Sequence, residues 1–207
     1  MEVSAPHAII LDGEQVTGGD WQEIAARAIE AEGWRVHRTA PDPYHAPGLE
    51  LPALVLFAAD LPALMVDEVR RTSGAASVAV TASDLVPAHC DDHVPATADQ
   101  DVFAALARQW QPRQLGAATE RLSAVFGNDA IAPMLVSFAD LLEEGLHSID
   151  QSDARDLAHR IAGIAGTLGF AELSRGWLAI SEGDRSGARV SRHATRIAIG
   201  SIRRRHL

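Results

Sequence analysis

The hydrophobic period changes once along this chain, and that change fixes what the chain can fold into. Before Gln111-Pro112-Arg113, short apolar runs alternate with amphipathic stretches; after it, the apolar residues follow helical spacing. Short apolar runs bounded by turn signals read as buried strands, and spacings of three and four read as helices. Charge shifts at the same place. Residues 1–112 hold 6 arginines against 17 acidic residues, a net of −11, whereas residues 113–207 hold 12 against 11, a net of +1. With 207 residues in all, two domains are expected, 1–112 and 113–207.

In the first half, strands are expected at 8–11, 35–39, 53–57 and 77–81, with a weak fifth at 91–96. Helices are expected at 20–33, 62–73 and 99–110. Asp20 is a fair N-cap for the first of these, and Ile24, Ala28 and Ala31 make its apolar stripe. Pro41, Pro43 and Pro47 break any regular element between the second and third strands. Strands alternating with helices imply a parallel sheet covered on both faces.

The second half reads as all helix, at 114–126, 133–149, 154–168, 171–181 and 186–203. Leu135, Phe138, Ala139, Leu142 and Leu146 form the inner stripe of the second of these, with Glu143 and Glu144 outside. Val190, Ala194, Ile197 and Ile202 are expected inside in the last. Helices joined by short loops favour an antiparallel bundle. Ser152 or Asp153 can cap the helix that starts near 154, and Gly169 suits its C-terminal end. The terminal Arg203-Arg204-Arg205 complements a helix dipole.

That third helix carries the most informative stretch. At about 100° per residue, Ala154, Leu157, Ala158, Ile161, Ile164, Ala165 and Leu168 share one broad face. His159 lies roughly opposite, among Arg155, Ala162, Gly163 and Gly166. A glycine inside a helix costs on the order of 1 kcal/mol against alanine, so two beside one exposed histidine call for a reason. Either the small face lets a neighbouring helix approach closely, or it clears space for another protein to reach the imidazole. A neutral ring nitrogen is a good nucleophile near neutral pH.

The run Ala158-His159-Arg160-Ile161-Ala162-Gly163, followed by Leu168-Gly169, resembles the signature of histidine-containing phosphotransfer (Hpt) domains, roughly A-H-x-L-K-G-x-x-x-x-L-G. Ala158, His159, Gly163, Leu168 and Gly169 match it, and Ile161 replaces the leucine conservatively. Ala162 departs, because the family usually has lysine there. The resemblance spans about 114–207 and implies an antiparallel four-helix bundle with His159 as phosphoryl acceptor. Gly163 and Gly166 would then leave room for the partner. The family lysine helps neutralise the phosphoryl group; Arg155 and Arg160 are the candidate substitutes, with Arg155 better aimed by the helical wheel. Receiver domains of response regulators or hybrid histidine kinases are the implied partners. They would bring Mg²⁺ and the acidic cluster, and no cofactor of this chain's own is expected.

The order and length of the first half resemble a receiver domain, with a flavodoxin-like parallel sheet. The likeness is to the scaffold and not to its chemistry. Asp12 stands at the first acidic position after the first strand, and Gly13 takes the second. Ala58 falls where the phospho-accepting aspartate belongs. Thr81 matches the hydroxyl residue after the fourth strand, and Ala96 replaces the lysine after the fifth. The resemblance implies a pseudoreceiver that accepts no phosphate.

Other classes find little support. The acidic first half argues against nucleic-acid binding. The 8–11 run is too short for a signal peptide, and no long apolar run suggests a membrane span. A single cysteine, Cys90, fits a reducing cytoplasm. No ATP-binding motif, Gly-rich phosphate loop, paired-cysteine metal site or Ser-His-Asp pattern stands out. His89 and His93, with Cys90, Asp91 and Asp92, read as a solvated cluster. The expected function is phosphoryl transfer through His159 in a two-component phosphorelay. The alternative is a non-catalytic docking adaptor.

Overall fold

In the computed structural model the chain divides into two compact units, Met1–Pro112 and Arg113–Leu207. The structure describes residues 5–11, 20–39, 51–82, 90–112, 117–150 and 154–206. Among these, no helix is long and apolar enough to cross a membrane. The first unit is α/β and the second is helical.

The first unit runs β1 (His7–Leu11), α1 (Trp21–Ala31), β2 (Arg35–Thr39), β3 (Leu54–Ala58), α2 (Ala63–Ser73), β4 (Ala76–Thr81), β5 (Asp92–Pro95) and α3 (Gln100–Gln109). All five strands are parallel, in the order β2-β1-β3-β4-β5. The central strands β1, β3 and β4 are buried throughout, as continuous apolar runs in a parallel sheet require. Ile9, Leu11, Val55, Phe57 and Ala79 pack with Val66 and Val69 of α2. The alternate residues Ile10, Leu54, Leu56, Val78 and Val80 point the other way, toward the side covered by α1 and α3, which pack on each other. Asp99 caps α3, its carboxylate accepting from the Val102 amide at 3.1 Å.

Three expectations for this unit are corrected. The buried stripe of α1 is Trp21, Ala25, Ala28 and Ile29; Ile24 is 37% exposed and Ala31 lies at the surface. Trp21 is wholly buried, and seating so large a side chain turns the helix to its face. Asp20 makes no capping hydrogen bond from its side chain. Asp91 is not solvated either. Its carboxylate accepts from the Ser77 amide and hydroxyl, both at 2.9 Å, and ties the start of β5 to β4. His89 lies outside the described residues.

The second unit runs α4 (Ala117–Phe126), α5 (Asn128–Ser148), α6 (Arg155–Leu168), α7 (Ala171–Ser181) and α8 (Ala188–His206). Residues of α5, α6, α7 and α8 share one apolar core, including Leu135, Phe138, Leu142, Ile161, Trp177 and Ile199. Trp177 is completely buried, and its indole N–H donates to Thr195 Oγ1 at 2.9 Å. Gly145 exists for packing. A Cβ there would stand 2.5 Å from Ile161 Cδ1 and 2.8 Å from the Trp177 ring. Thr119 of α4 donates to the Leu168 carbonyl at 2.9 Å and ties α4 to the end of α6.

The helix expected from 133 in fact begins at Asn128 and takes Pro133 inside it. Proline removes one backbone donor there, close enough to the N-terminus for the helix to persist. Val190 is 73% exposed rather than inside, whereas Ile197 and Ile202 are buried as expected; Ala198, Ile199 and Ile202 enter the core and Ala194 packs against it. Glu143 is not outside. Its carboxylate accepts from Arg196 at 2.8 Å and lies 3.4 Å from Arg203, whose other nitrogen reaches Asp140 at 3.5 Å. Arg203 is therefore part of a buried network and not only a dipole partner. The Arg196 side chain is 1% exposed, and Glu143 is an anionic partner to it. Removing one partner of a buried ion pair costs more than the pair is worth, because the remaining charge loses compensation while staying desolvated. Glu143→Ala should therefore cost about 3 kcal/mol of stability, read as a lower urea midpoint at unchanged slope.

Candidate functional site

The local sequence of α6 builds a helix with two different faces. Its C-terminal end closes on Gly169 in the left-handed conformation, φ 87°, where the Phe170 amide reaches back to the Ala165 carbonyl at 2.8 Å. That pattern suits glycine. Ser152 and Asp153, expected as caps at the other end, lie outside the described residues. Ala154 flanks the start of the helix and makes no side-chain cap.

Ala158, Ile161, Ala162, Ala165 and Leu168 face the core, while His159 is exposed together with Arg155, Arg160, Gly163 and Gly166. The expected face is rotated by part of a turn. Ala162, expected beside His159, is 5% exposed and packs in the core; Ile164, expected inside, is 37% exposed. The cause is α7, the neighbour that α6 packs on most extensively. Ser174 of α7 donates to the Ala162 carbonyl at 2.8 Å, drawing that side of the helix inward.

The two glycines separate the two readings of the small face. A Cβ on Gly166 would meet Ser174 Oγ at 3.2 Å, so this glycine serves the close approach of α7. A Cβ on Gly163 would have no heavy atom within 4 Å beyond its chain neighbours and the backbone of its own helix. Nothing in the unit's own packing calls for Gly163, and it opens onto solvent one turn from His159.

His159 borders a groove of about 390 Å³ between α5 and α6. Gly163, Ile164, Thr167 and Leu168 continue it along α6, and Met134 closes it from α5. Met134 is 55% exposed. The site thus pairs one exposed imidazole with a shallow apolar trough. Met134 was missed in the sequence because it sits at the margin of the α5 stripe, where an apolar residue reads as core.

The two arginines part company. Arg155 turns toward the bend between α7 and α8, where its Nη2 lies 3.1 Å from the position a Gly183 Cβ would take. The helical wheel aimed it at His159; the side chain goes elsewhere. Arg160 stays at the groove, with Nη2 3.6 Å from Glu144 Oε2 of α5.

In the first unit, Ala58, Thr81 and Ala96 come together at the carboxyl ends of β3, β4 and β5 and are all buried. They offer two methyl groups and a hydroxyl, with no carboxylate or ammonium among them. Asp60 is exposed on the turn after β3. Asp12 and Gly13 lie outside the described residues.

Comparison with protein-family models finds none that matches the chain, and comparison with curated proteins finds no match either.

The glycines predict opposite outcomes for the same substitution. Gly163→Ala should raise stability by roughly 0.5–1 kcal/mol, since alanine is the better helix former and meets nothing. Gly166→Ala should gain less or lose, because Ser174 must give way. Thermal melts of the two variants beside the wild type check this.

Proposed function

We propose that the chain is a histidine phosphotransfer protein of a two-component phosphorelay, receiving and donating a phosphoryl group at His159. The observation that carries this reading is Gly163, a helix-interior glycine open to solvent one turn from an exposed histidine. Inside the molecule it only weakens the helix. Outside, it lets a partner's backbone come close to the imidazole. The trough from His159 to Met134 supplies apolar area for that partner.

In this reading a neutral His159 nitrogen attacks the phosphorus of a partner's aspartyl phosphate. The new N–P bond forms as the acyl P–O bond breaks, and the aspartate leaves as carboxylate. The reverse step passes the group on. Such transfer rests on positioning and charge stabilisation, and the partner receiver brings the Mg²⁺ and its acidic cluster. The shared core of α5 to α8 suits an antiparallel four-helix bundle of the Hpt kind. The partners would be receiver domains of response regulators or hybrid kinases in the cytoplasm.

The first unit, in the same reading, is a pseudoreceiver. Its strand order is the flavodoxin-like one, and the acceptor position holds Ala58. It contributes surface for partner choice and no phosphoryl chemistry. Incubation with acetyl phosphate and Mg²⁺ should leave every aspartate unmodified by mass spectrometry. A phosphorylated Asp12 or Asp60 would remove the pseudoreceiver assignment.

The central test mixes the chain with a phosphorylated receiver and follows acid-labile label. Wild type should take label, while His159→Gln should take none at unchanged helical content. A variant that labels at the wild-type rate would sink the assignment of His159. A wild type that binds receivers yet never takes label would favour the docking adaptor instead.

A further inference from the structure

A cation on this chain would help neutralise a phosphoryl group at His159, and of the three expected positions two do not reach the groove as a charge. Ala162 stands where the Hpt family has lysine, and it is an alanine packed in the core. Arg155 does not line the groove; its guanidinium lies beside the Gly183 bend. Among the side chains that line the groove, His159 and Arg160 alone carry ionisable groups.

We propose that Arg160 is the cation that meets a phosphoryl group on His159, and that Glu144 of α5 is a positioning residue that holds Arg160 in reserve. The proposal rests on reading His159 as the phosphoryl acceptor. Its geometric basis is the Arg160–Glu144 pair, at 3.6 Å, with the two side chains 58% and 61% exposed. A single long contact between side chains this exposed binds weakly. A phosphoryl group carries nearly two negative charges and three acceptor oxygens, and a guanidinium is shaped to take such oxygens two at a time. When phosphate arrives at His159, Arg160 exchanges one carboxylate for a stronger anion. When phosphate leaves, Glu144 takes the arginine back. The bare imidazole is thereby spared a fixed positive neighbour, and the phosphorylated one gains it.

The test uses the full chain with phosphoramidate as donor, so that no partner receiver is needed. The His159 nitrogen forms its bond to phosphorus as the donor's P–N bond breaks and ammonia departs with the electron pair. The imidazole keeps the proton on its other nitrogen. Label at His159 is followed by mass spectrometry over time. Arg160→Gln should slow uptake roughly tenfold, the scale of a charge-assisted contact, and Arg160→Lys should recover most of the loss. Glu144→Gln should speed uptake about two- to fivefold, the scale of an exposed ion pair, and should do nothing in the Arg160→Gln background. Added salt should shrink both effects.

Unchanged uptake by Arg160→Gln would overturn the proposal, and so would a Glu144→Gln effect that survives without Arg160. A wild type that takes no phosphate at His159 from phosphoramidate would overturn it as well. If phosphoramidate labels His159 with the expected Arg160 dependence but phosphorylated receivers do not, the phosphorelay reading fails and the Arg160 assignment stands.

Discussion

The close packing of α6 on α7 is the contact on which the second unit depends. It is made by small groups: Ala158, Ala162 and Ala165 in the core, and Gly166 at its edge against Ser174. Small side chains let two helix backbones approach, and dispersion between well-packed atoms rises steeply with proximity. With one flank of α6 committed to α7 and α5, the opposite flank is left bare, and His159 occupies it. The exposed histidine is thus a by-product of how tightly the other side is held.

The same logic orders the first unit. A parallel sheet must be covered on both faces, and β1, β3 and β4 meet that need with uninterrupted apolar residues. The carboxyl edge of such a sheet is where polar chemistry usually sits. Here the described part of that edge holds Ala58 and Ala96 beside the single hydroxyl of Thr81. The sequence of this unit carries the chain's excess of negative charge, −11 against +1 in the second.

Much of this was legible in the sequence. The strands at β1, β3 and β4 show as apolar runs because burial on two faces leaves no room for alternation. The exposure of His159, Gly163 and Gly166 follows from helical period alone. The failures have a common cause. A hydrophobic stripe gives the phase of a helix only to within a residue or so, and the packed partner decides the remainder. Ser174 draws Ala162 inward, Trp21 turns α1 away from Ile24, and α8 fills the core with Ala198, Ile199 and Ile202 while Val190 lies outside. Polar residues misled in another way. Glu143, Arg196 and Asp91 are of types that usually face water, yet each is held by a partner far away in the chain, which no local pattern reveals. The direction of Arg155 belongs to the same class, since a long side chain can leave the face its Cα suggests.

Glu143 and Glu144 are consecutive, and they point to different neighbours: one into the buried arginines of α8, the other across to Arg160 on α6. Adjacent residues on a helix diverge by about 100°, which is why two identical side chains can serve two unrelated contacts. It follows that α5 cannot change length upstream of this pair. Inserting or deleting one residue between Ile131 and Leu142 would turn both carboxylates by that angle. Arg196 would then lose Glu143, and Gly145 would leave its place beside Ile161 and Trp177. The bend at Gly127, ahead of the helix, has nothing against its Cβ position and can absorb such a change. Natural length variation in chains of this architecture should therefore collect at that bend and spare the body of α5.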